Sequence, residues 1–147
     1  MGIREASKDD AKNICKLVTS LSRYYLDEGQ SDFPEWFLST LRVNEFENRL
    51  KSAEYYNLVY EVENHIVGYI SMNENGHLYH LFVSEQYQGN GIARQLWNQI
   101  TRKCKSSKYT VQSSMYAIPV YKAFGFNEAG PAGVKGGIHF QPMELVS

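Results

Sequence analysis

The chain has 147 residues, a length that favours one domain, and its 43% hydrophobic and 21% charged residues are typical of a globular protein. The formal net charge of -1 argues against a protein whose main task is to bind nucleic acid, because such surfaces need an excess of Lys and Arg. We therefore predict a single domain spanning residues 1–147 that does not bind nucleic acid.

Cysteine content and the N-terminal segment narrow the class further. Cys15 and Cys104 are the two cysteines, too few for a disulfide framework or a four-cysteine zinc site, and we predict two buried reduced thiols. The first residues carry no apolar segment typical of a secretory signal, and no apolar run is long enough to span a membrane. These features predict a cytoplasmic protein without a metal site or membrane contact.

The first third of the chain begins as a strand and continues as helix. Ile3–Ala6 is the predicted strand, and Ser7 with Asp10 has the spacing of an N-terminal capping box. Apolar residues at helical spacing then predict an amphipathic helix over residues 8–23. Two further short helices are predicted at Pro34–Leu41 and Asn44–Lys51.

Alternating apolar residues then predict an antiparallel meander. Its three strands are Asn57–Glu63, Ile66–Met72 and His77–Val83, with Asn64-His65 as a tight hairpin turn. Strict alternation on the third strand places His77, Tyr79, Leu81 and Val83 on one face and Leu78, His80 and Phe82 on the other.

The last third alternates between helices and strands. The predicted elements are a helix at Gly91–Lys105, a strand at Tyr109–Ser113, a helix at Ala117–Phe124 ended by Gly125, and strands at Asn127–Ala129 and Gly137–Glu144 around a loop at residues 130–133. A crossover helix makes the strands on either side of it parallel. The fold class is therefore α+β, an α/β sandwich with a mixed, mainly antiparallel sheet of about six to seven strands flanked by helices.

The strand-to-helix connection from Gln86 to Ala93 is the candidate functional loop. Gly89 and Gly91 tolerate positive φ and allow close approach of a ligand, and the N–H groups at a helix N-terminus suit a phosphate. A plain strand–helix turn is the alternative. A Walker A loop is excluded because no Lys-Ser/Thr follows the glycines, and a dinucleotide fingerprint is excluded by Arg94.

The segment Gln86-Tyr87-Gln88-Gly89-Asn90-Gly91 resembles motif A of the GNAT superfamily of acyl-CoA-dependent N-acetyltransferases, with the pattern Gln/Arg-x-x-Gly-x-Gly/Ala. Leu81-Phe82-Val83 occupies the family's Leu-x-Val, and the segment from Ala117 to Phe126 resembles motif B, which ends in Tyr-x-x-x-Gly-Phe. One departure is Gln112-Ser113-Ser114, where many relatives carry an Asn near the end of the strand.

The resemblance implies acetyl-CoA as co-substrate and an amine as acceptor, in a GNAT-like fold. The implied cofactor-binding residues are Leu81, Phe82, Val83, Gln88, Gly89, Asn90, Gly91, Ile92, Ala93 and Ser114. The strand residues would pair with the pantetheine arm and the loop N–H groups would hold the pyrophosphate. Tyr121 matches the family tyrosine that protonates the departing thiolate, and the amine would attack the thioester directly in a ternary complex.

The acceptor half of the reaction is less specified. His77 is the predicted general base because it titrates near neutrality, with His80 or a water-mediated route as alternatives. The acceptor is expected between the segment from Tyr24 to Phe46 and the C-terminal strands. Its identity, and the use of acyl groups other than acetyl, stay open. A catalytically inactive CoA-binding sensor and an interaction protein are the alternative functions, and a homodimer is compatible with the resemblance.

Overall fold

The computed structural model describes residues 2–21, 41–135 and 138–146. Eight strands are present in this part of the chain: β1 (Gly2–Glu5), β2 (Tyr55–Val62), β3 (His65–Asn73), β4 (His77–Val83), β5 (Lys108–Ser113), β6 (Asn127–Glu128), β7 (Gly133–Lys135) and β8 (Ile138–Val146). The helices described are α1 (Ala11–Leu21), α2 (Val43–Lys51), α3 (Ile92–Lys103) and α4 (Ile118–Phe124). The predicted helix Pro34–Leu41 lies outside the described residues except for Leu41.

The strands form one mixed sheet in the order β1-β2-β3-β4-β5-β8-β6, with β7 paired to β8. β4 and β5 are parallel and the other pairs are antiparallel, as the crossover through α3 requires. The predicted α+β class and mixed sheet are confirmed. The described sheet has eight strands against about six to seven predicted, and the additional one, β7, begins inside the predicted loop at residues 130–133. The first residue of β7 is Gly133, where a Cβ would lie 2.6 Å from the Phe140 ring, so the close approach of that ring favours glycine.

Helices cover both faces of the sheet. Helices α3 and α4 pack on one face, where Leu96, Trp97 and Ile100 join the larger hydrophobic cluster. Helices α1 and α2 pack on the opposite face, with Ile14 and Phe46 at the centre of the smaller cluster. The described helices include none that is long and apolar enough to cross a membrane. The sheet therefore separates an α3/α4 face from an α1/α2 face.

The first hairpin turn differs from the prediction by one residue. Glu63 and Asn64 occupy the turn with φ of 50° and 66°, and Val62 pairs with His65. Asn64-His65 is therefore the wrong turn pair. The pairing of β2 with β3 shifts by one residue after Tyr60. Such a shift cannot be recognised from the spacing of apolar residues, so the turn was predicted one residue too late.

A β-bulge in β4 overturns the predicted division of its faces. Ser71 of β3 pairs with His80, but the next β3 residue, Met72, pairs with Leu78. Tyr79 is therefore the extra residue, and the alternation changes phase at that point. Leu78 lies on the α3/α4 face together with Leu81 and Val83, whereas His80 and Phe82 pack on the α1/α2 face.

The two cysteines have different environments. Cys104 is buried, as predicted, and its thiol lies 3.7 Å from the backbone oxygens of Asn73 and Glu74. Cys15 is only partly buried, so the prediction of two buried thiols was wrong for this residue. Its Sγ lies 2.9 Å from the carbonyl oxygen of Leu41. Cys15 lies at the edge of the apolar face of α1, next to the exposed face.

Candidate active site

The parallel strands β4 and β5 separate soon after they meet. Their pairing covers His77 with Thr110 and Leu78 with Val111. β5 remains paired to β8 up to Ser113, and β4 remains paired to β3 up to Val83, so each strand stays ordered on its other side. The edge of β4 that faces β5 is therefore outside the strand pairing after the bulge.

A cavity of about 290 Å³ occupies this separation. Its lining combines the end of β4, the glycine loop, the first turn of α3, the segment after β5 and the end of α1: Leu21, Leu81, Phe82, Val83, Tyr87, Gln88, Gly89, Gly91, Ile92, Ala93, Ser114, Tyr116, Ala117, Val120 and Tyr121. Most of these side chains are apolar, and the polar ones lie at the loop and on the opposite segment from Ser114 to Tyr121. Such a cavity suits an elongated ligand with an anionic portion.

Backbone conformation explains both glycines of the loop. Gly89 has φ of 82° and Gly91 has φ of 78°, a left-handed conformation that favours glycine. A Cβ added at either position would meet nothing within 4 Å, so the space beside them is open. Gly91 directly precedes α3, so the helix N-terminus at Ile92 and Ala93 faces the cavity with unpaired N–H groups. This geometry suits an anion.

Side-chain amides brace the loop from within. Gln88 donates from Nε2 to the carbonyl oxygen of Val83 at 2.9 Å, and Asn90 donates from Nδ2 to the carbonyl oxygen of Tyr87 at 3.0 Å. Asn90 does not line the cavity, although it was predicted to bind cofactor, because its side chain closes the turn. The other nine predicted cofactor residues all line the cavity.

Ser114 and Tyr121 lie across the cavity from the loop. Ser114 Oγ accepts a hydrogen bond from the N–H of Ala117 at 3.1 Å, which fixes the turn into α4. Tyr121 is 5% exposed, and its ring packs edge-on against Phe124 and Phe126 at centroid distances of 6.1 and 5.6 Å. The predicted tyrosine and the predicted loop therefore meet at one cavity, although 30 residues separate them in the sequence.

The two candidate bases lie outside this lining. His77 is half-buried where β4 and β5 are still paired, and its Nδ1 lies 2.8 Å from Oγ1 of Thr110. Burial lowers the pKa of His77. Burial, together with the nearby Arg49 charge, lowers the pKa of His80 to about 3. His80 packs between the rings of Phe46 and Tyr69 and is a weak base there.

Sequence reasoning missed several lining residues. Tyr116 donates from its hydroxyl to Oε1 of Gln88 at 3.3 Å, which links the segment after β5 to the loop. Ala117 lies four residues before Tyr121, which places both on one side of the helical turn, and could have been found from that spacing. Val120 is adjacent to Tyr121 and has no such signal. Leu21 comes from α1, so only the tertiary fold brings it to the cavity.

Across residues 2–21, 41–135 and 138–146, no group of three or more His, Cys, Asp or Glu side chains is arranged to hold a metal ion. The groups that the cavity offers to a ligand are instead backbone N–H donors, hydroxyls and one side-chain amide.

The mixed sheet with two parted parallel strands and a glycine loop at a helix N-terminus is the arrangement expected from the sequence resemblance. The family model of the acetyltransferase (GNAT) domain matches residues 22–147. The chain therefore belongs to the GNAT acetyltransferase family. No curated protein matches its sequence.

Solved structures agree on the fold. PaiA N-acetyltransferase from Thermoplasma acidophilum in complex with coenzyme A is 15% identical, with a TM-score of 0.78 and coverage of 99% of this chain and 98% of that one. An aminoglycoside 6'-N-acetyltransferase complexed with coenzyme A is 14% identical, with a TM-score of 0.73 and coverage of 99% and 97%. Ribosomal-protein-alanine N-acetyltransferase from Brucella melitensis is 20% identical, with a TM-score of 0.67 and full coverage of both chains.

Proposed function

We propose that the protein is a cytoplasmic N-acetyltransferase that transfers the acetyl group of acetyl-CoA to an amine in a ternary complex. The observation that carries the proposal is the joint placement of the glycine loop, the free edge of β4 and Tyr121 around one cavity. Membership of the GNAT family and the similarity to two structures with coenzyme A bound support it.

The cavity residues fit the cofactor in two parts. Leu81, Phe82 and Val83 would lie along the pantetheine arm and pair with its amides as an added strand would. The N–H groups from Gln88 to Ala93 would hold the pyrophosphate, because they combine a helix N-terminus with two left-handed glycines. Acetyl-CoA, when bound, supplies an activated thioester.

The chemical step needs two proton transfers. The acceptor amine forms a C–N bond to the thioester carbonyl carbon while the C–S bond breaks, and sulfur leaves as a thiolate. Tyr121 would donate its hydroxyl proton to that sulfur. The proton lost by the amine would pass to His77 through water, since His77 does not line the cavity.

The acceptor would approach from the α1/α2 face. The cavity is lined by Leu81 and Val83 from the α3/α4 face and by Leu21 and Phe82 from the α1/α2 face. A cofactor on the first face would thus present its thioester at the gap between the strands. The acceptor region predicted around Tyr24–Phe46 includes only residues 43–46 of α2, and its residues 24–40 lie outside the described part of the chain.

A catalytically inactive CoA-binding module is the second candidate, favoured by the position of His77 away from the cavity lining. A homodimer stays a prediction for either candidate. One experiment separates the two functions. Acetyl-CoA binding is measured by calorimetry, and CoA thiol release is then followed over a chemically diverse amine panel.

The proposal expects saturable acetyl-CoA binding, a higher Tm with ligand, and amine-dependent thiol release. Binding without release for every amine would support the inactive module. Lack of binding at millimolar acetyl-CoA would contradict both.

A further inference from the structure

On the α1/α2 face of the sheet lies a buried cation for which the described residues supply no anion. Arg49, in the last turn of α2, is 9% exposed. Its guanidinium carbon lies 4.7 Å from the ring centre of Phe46 and 5.4 Å from that of Tyr79. No carboxylate among residues 2–21, 41–135 and 138–146 lies within ion-pair distance of it. Burying an unpaired charge is costly, so an anion bound beside Arg49 would stabilise this arrangement.

The guanidinium also has unused hydrogen-bonding capacity. Cation–π contacts stabilise its charge but do not accept hydrogen bonds from its five N–H donors. Nη2 lies 3.4 Å from Nε2 of His80, whereas Nε has no hydrogen-bond partner. The hydroxyl of Ser71 is the other buried side-chain group in the described part of the chain without one. Because Ser71 pairs with His80 across the strands, both orphaned groups border the same imidazole.

None of the described neighbours supplies a negative charge. Burial and the Arg49 charge lower the pKa of His80 to about 3, so this imidazole is neutral at pH 7. Burial raises the pKa of Tyr69 to about 12, and its hydroxyl donates to Oδ1 of Asn57 at 2.7 Å. A trapped water molecule would satisfy hydrogen bonds but would leave the charge of Arg49 uncompensated.

The position of this cluster relative to the cavity is set by the bulge in β4. His80 points to the α1/α2 face, and its neighbour Leu81 points to the cofactor cavity on the other face. The cluster therefore lies directly behind the cavity wall, beside the gap where β4 and β5 part. An acceptor that approaches the gap from this face passes Arg49.

We propose that Arg49, with Ser71 beside it, binds a carboxylate of the acceptor, so that the substrates are amines that also carry a carboxylate group. The planar guanidinium fork matches a carboxylate in geometry and charge, and the Ser71 hydroxyl is a further donor. This inference rests on the proposed N-acetyltransferase function and specifies its acceptor class.

Matched acceptor pairs test the inference on the wild-type protein. ω-Amino acids from glycine to 6-aminohexanoate are compared with alkylamines of the same carbon number, which differ by the carboxylate. At the best chain length we expect a preference in kcat/KM of about tenfold to a hundredfold for the amino acid, the range that a charge-assisted hydrogen bond supplies. Calorimetry on the protein saturated with CoA measures acceptor binding separately from turnover.

Variants of Arg49 test whether this residue causes the preference for acceptors that carry a carboxylate. Arg49→Met removes the charge at similar volume and should raise KM for the amino acid to that of the alkylamine, with kcat and acetyl-CoA binding little changed. Arg49→Lys keeps the charge without the fork and should retain part of the preference. Lys51→Met removes an exposed cation from the same helix and should change nothing.

The outcomes separate this inference from the proposed function. If acetyl-CoA binds but amino acids bind no better than the matched alkylamines, or neither binds, the proposed acceptor class is overturned and the proposed function is not. Residues 22–40 include Asp27, Glu28, Asp32 and Glu35. If one of these carboxylates neutralises Arg49, Arg49→Met will lower Tm and leave the acceptor preference unchanged, which also overturns the inference. Failure of acetyl-CoA to bind contradicts the proposed function instead.

Discussion

The side-chain amide of Gln88 donates a 2.9 Å hydrogen bond to the carbonyl oxygen of Val83, which ties the glycine loop to the last residue of β4. The same amide accepts a hydrogen bond from the Tyr116 hydroxyl at 3.3 Å. One side chain thus connects three walls of the cavity. The separation of these walls is thereby fixed before a ligand enters, which lowers the entropy lost on binding.

Gln88→Ala should weaken acetyl-CoA binding because it removes both connections. The loss of neutral hydrogen bonds predicts a Kd about threefold to tenfold higher, with a small change in Tm. Gln88→Glu should weaken it further, since it loses the donor and adds a negative charge beside the loop proposed to bind phosphate. Calorimetry measures each Kd, with Gln99→Ala on exposed α3 surface as control. An unchanged Kd for both Gln88 variants would refute the bracing role.

The loop glycines should separate stability from binding. Gly89→Ala and Gly91→Ala each force a Cβ into a left-handed conformation, at a cost of about 1–2 kcal/mol in the free energy of unfolding. Each should also weaken acetyl-CoA binding by about tenfold or more, because displaced N–H groups lose charge-assisted hydrogen bonds. Gly130→Ala is the matched control, since Gly130 has φ of 140°, open space around it, and no place in the cavity lining.

Denaturant unfolding and calorimetry are compared for these three variants. All three should lose stability, and only the two loop variants should lose affinity. Wild-type affinity in Gly89→Ala and Gly91→Ala would show that the loop does not hold the phosphates.

Much of the fold follows from apolar periodicity in the sequence. The bounds of β4 were predicted exactly, and α3 was correct to within two residues at its C-terminal end, because both have strong patterns. The hairpin turn and the faces of β4 were wrong because each depends on a β-bulge, which adds one residue without changing composition. β7 was missed because it begins at Gly133, inside the glycine- and proline-containing segment that was predicted as a loop.

In the candidate site, too, local sequence motifs could be recognised and tertiary contacts could not. The glycine loop and Tyr121 could be singled out from the sequence since they are local motifs with fixed spacing, and their roles stay predictions. The cluster around Arg49 was not, because it joins α2 to β3 and β4 through tertiary packing. Nothing in the linear pattern indicates that Arg49 is buried: a basic residue in the last turn of a helix is ordinarily a solvated partner of the helix dipole.

Tyr121→Phe tests the thiolate protonation step. The substitution keeps the ring contacts with Phe124 and Phe126 and removes the hydroxyl. We expect kcat to fall about a hundredfold, the lower range for general acid catalysis, with KM for acetyl-CoA and Tm nearly unchanged. Tyr60→Phe, a buried tyrosine outside the cavity lining, controls for loss of a hydroxyl. A kcat equal to wild type would remove Tyr121 from the mechanism.

The predicted role of His77 as general base can be tested through the pH dependence of kcat/KM. Burial lowers its pKa below the ordinary value of about 6.5, so the imidazole is neutral and able to accept a proton at pH 7. As pH falls through that lowered pKa, His77 becomes protonated and wild-type activity should fall. His77→Asn lacks this transition and should be about a hundredfold slower at pH 7.

The ratio of wild-type to His77→Asn kcat/KM is the quantity to measure, because ionisation of the amine cancels in it. The ratio should decrease toward one as pH falls below neutrality. A ratio that is independent of pH would exclude His77 as the base.

The ion pair between Arg4 and Asp10 should make stability depend on pH. Arg4 donates from Nη1 and Nη2 to the two Asp10 oxygens at 2.8 and 2.9 Å, and the Ser7 N–H donates to the same carboxylate at 2.8 Å. The Arg4 hydrogen bonds hold the pKa of Asp10 below its ordinary value. A lowered pKa stabilises the fold above the unfolded-state pKa, and this contribution is lost as pH falls through the folded-state pKa.

Asp10→Asn should lower the free energy of unfolding by about 1–3 kcal/mol at pH 7, and this difference should decrease as pH falls through the folded-state pKa of Asp10. Urea unfolding across this pH range measures it. Asp9→Asn, at the exposed neighbouring position, should have little effect. A difference between Asp10→Asn and wild type that persists undiminished at low pH would contradict the ion-pair account.

The most direct test of the central claim is a crystal structure of the protein with coenzyme A. We expect pyrophosphate oxygens within about 2.7–3.2 Å of backbone nitrogens in the segment from Gln88 to Ala93. The pantetheine arm should lie along Leu81–Val83, with its sulfur near the Tyr121 hydroxyl. Coenzyme A bound elsewhere, or with its pyrophosphate away from the glycine loop, would contradict the account.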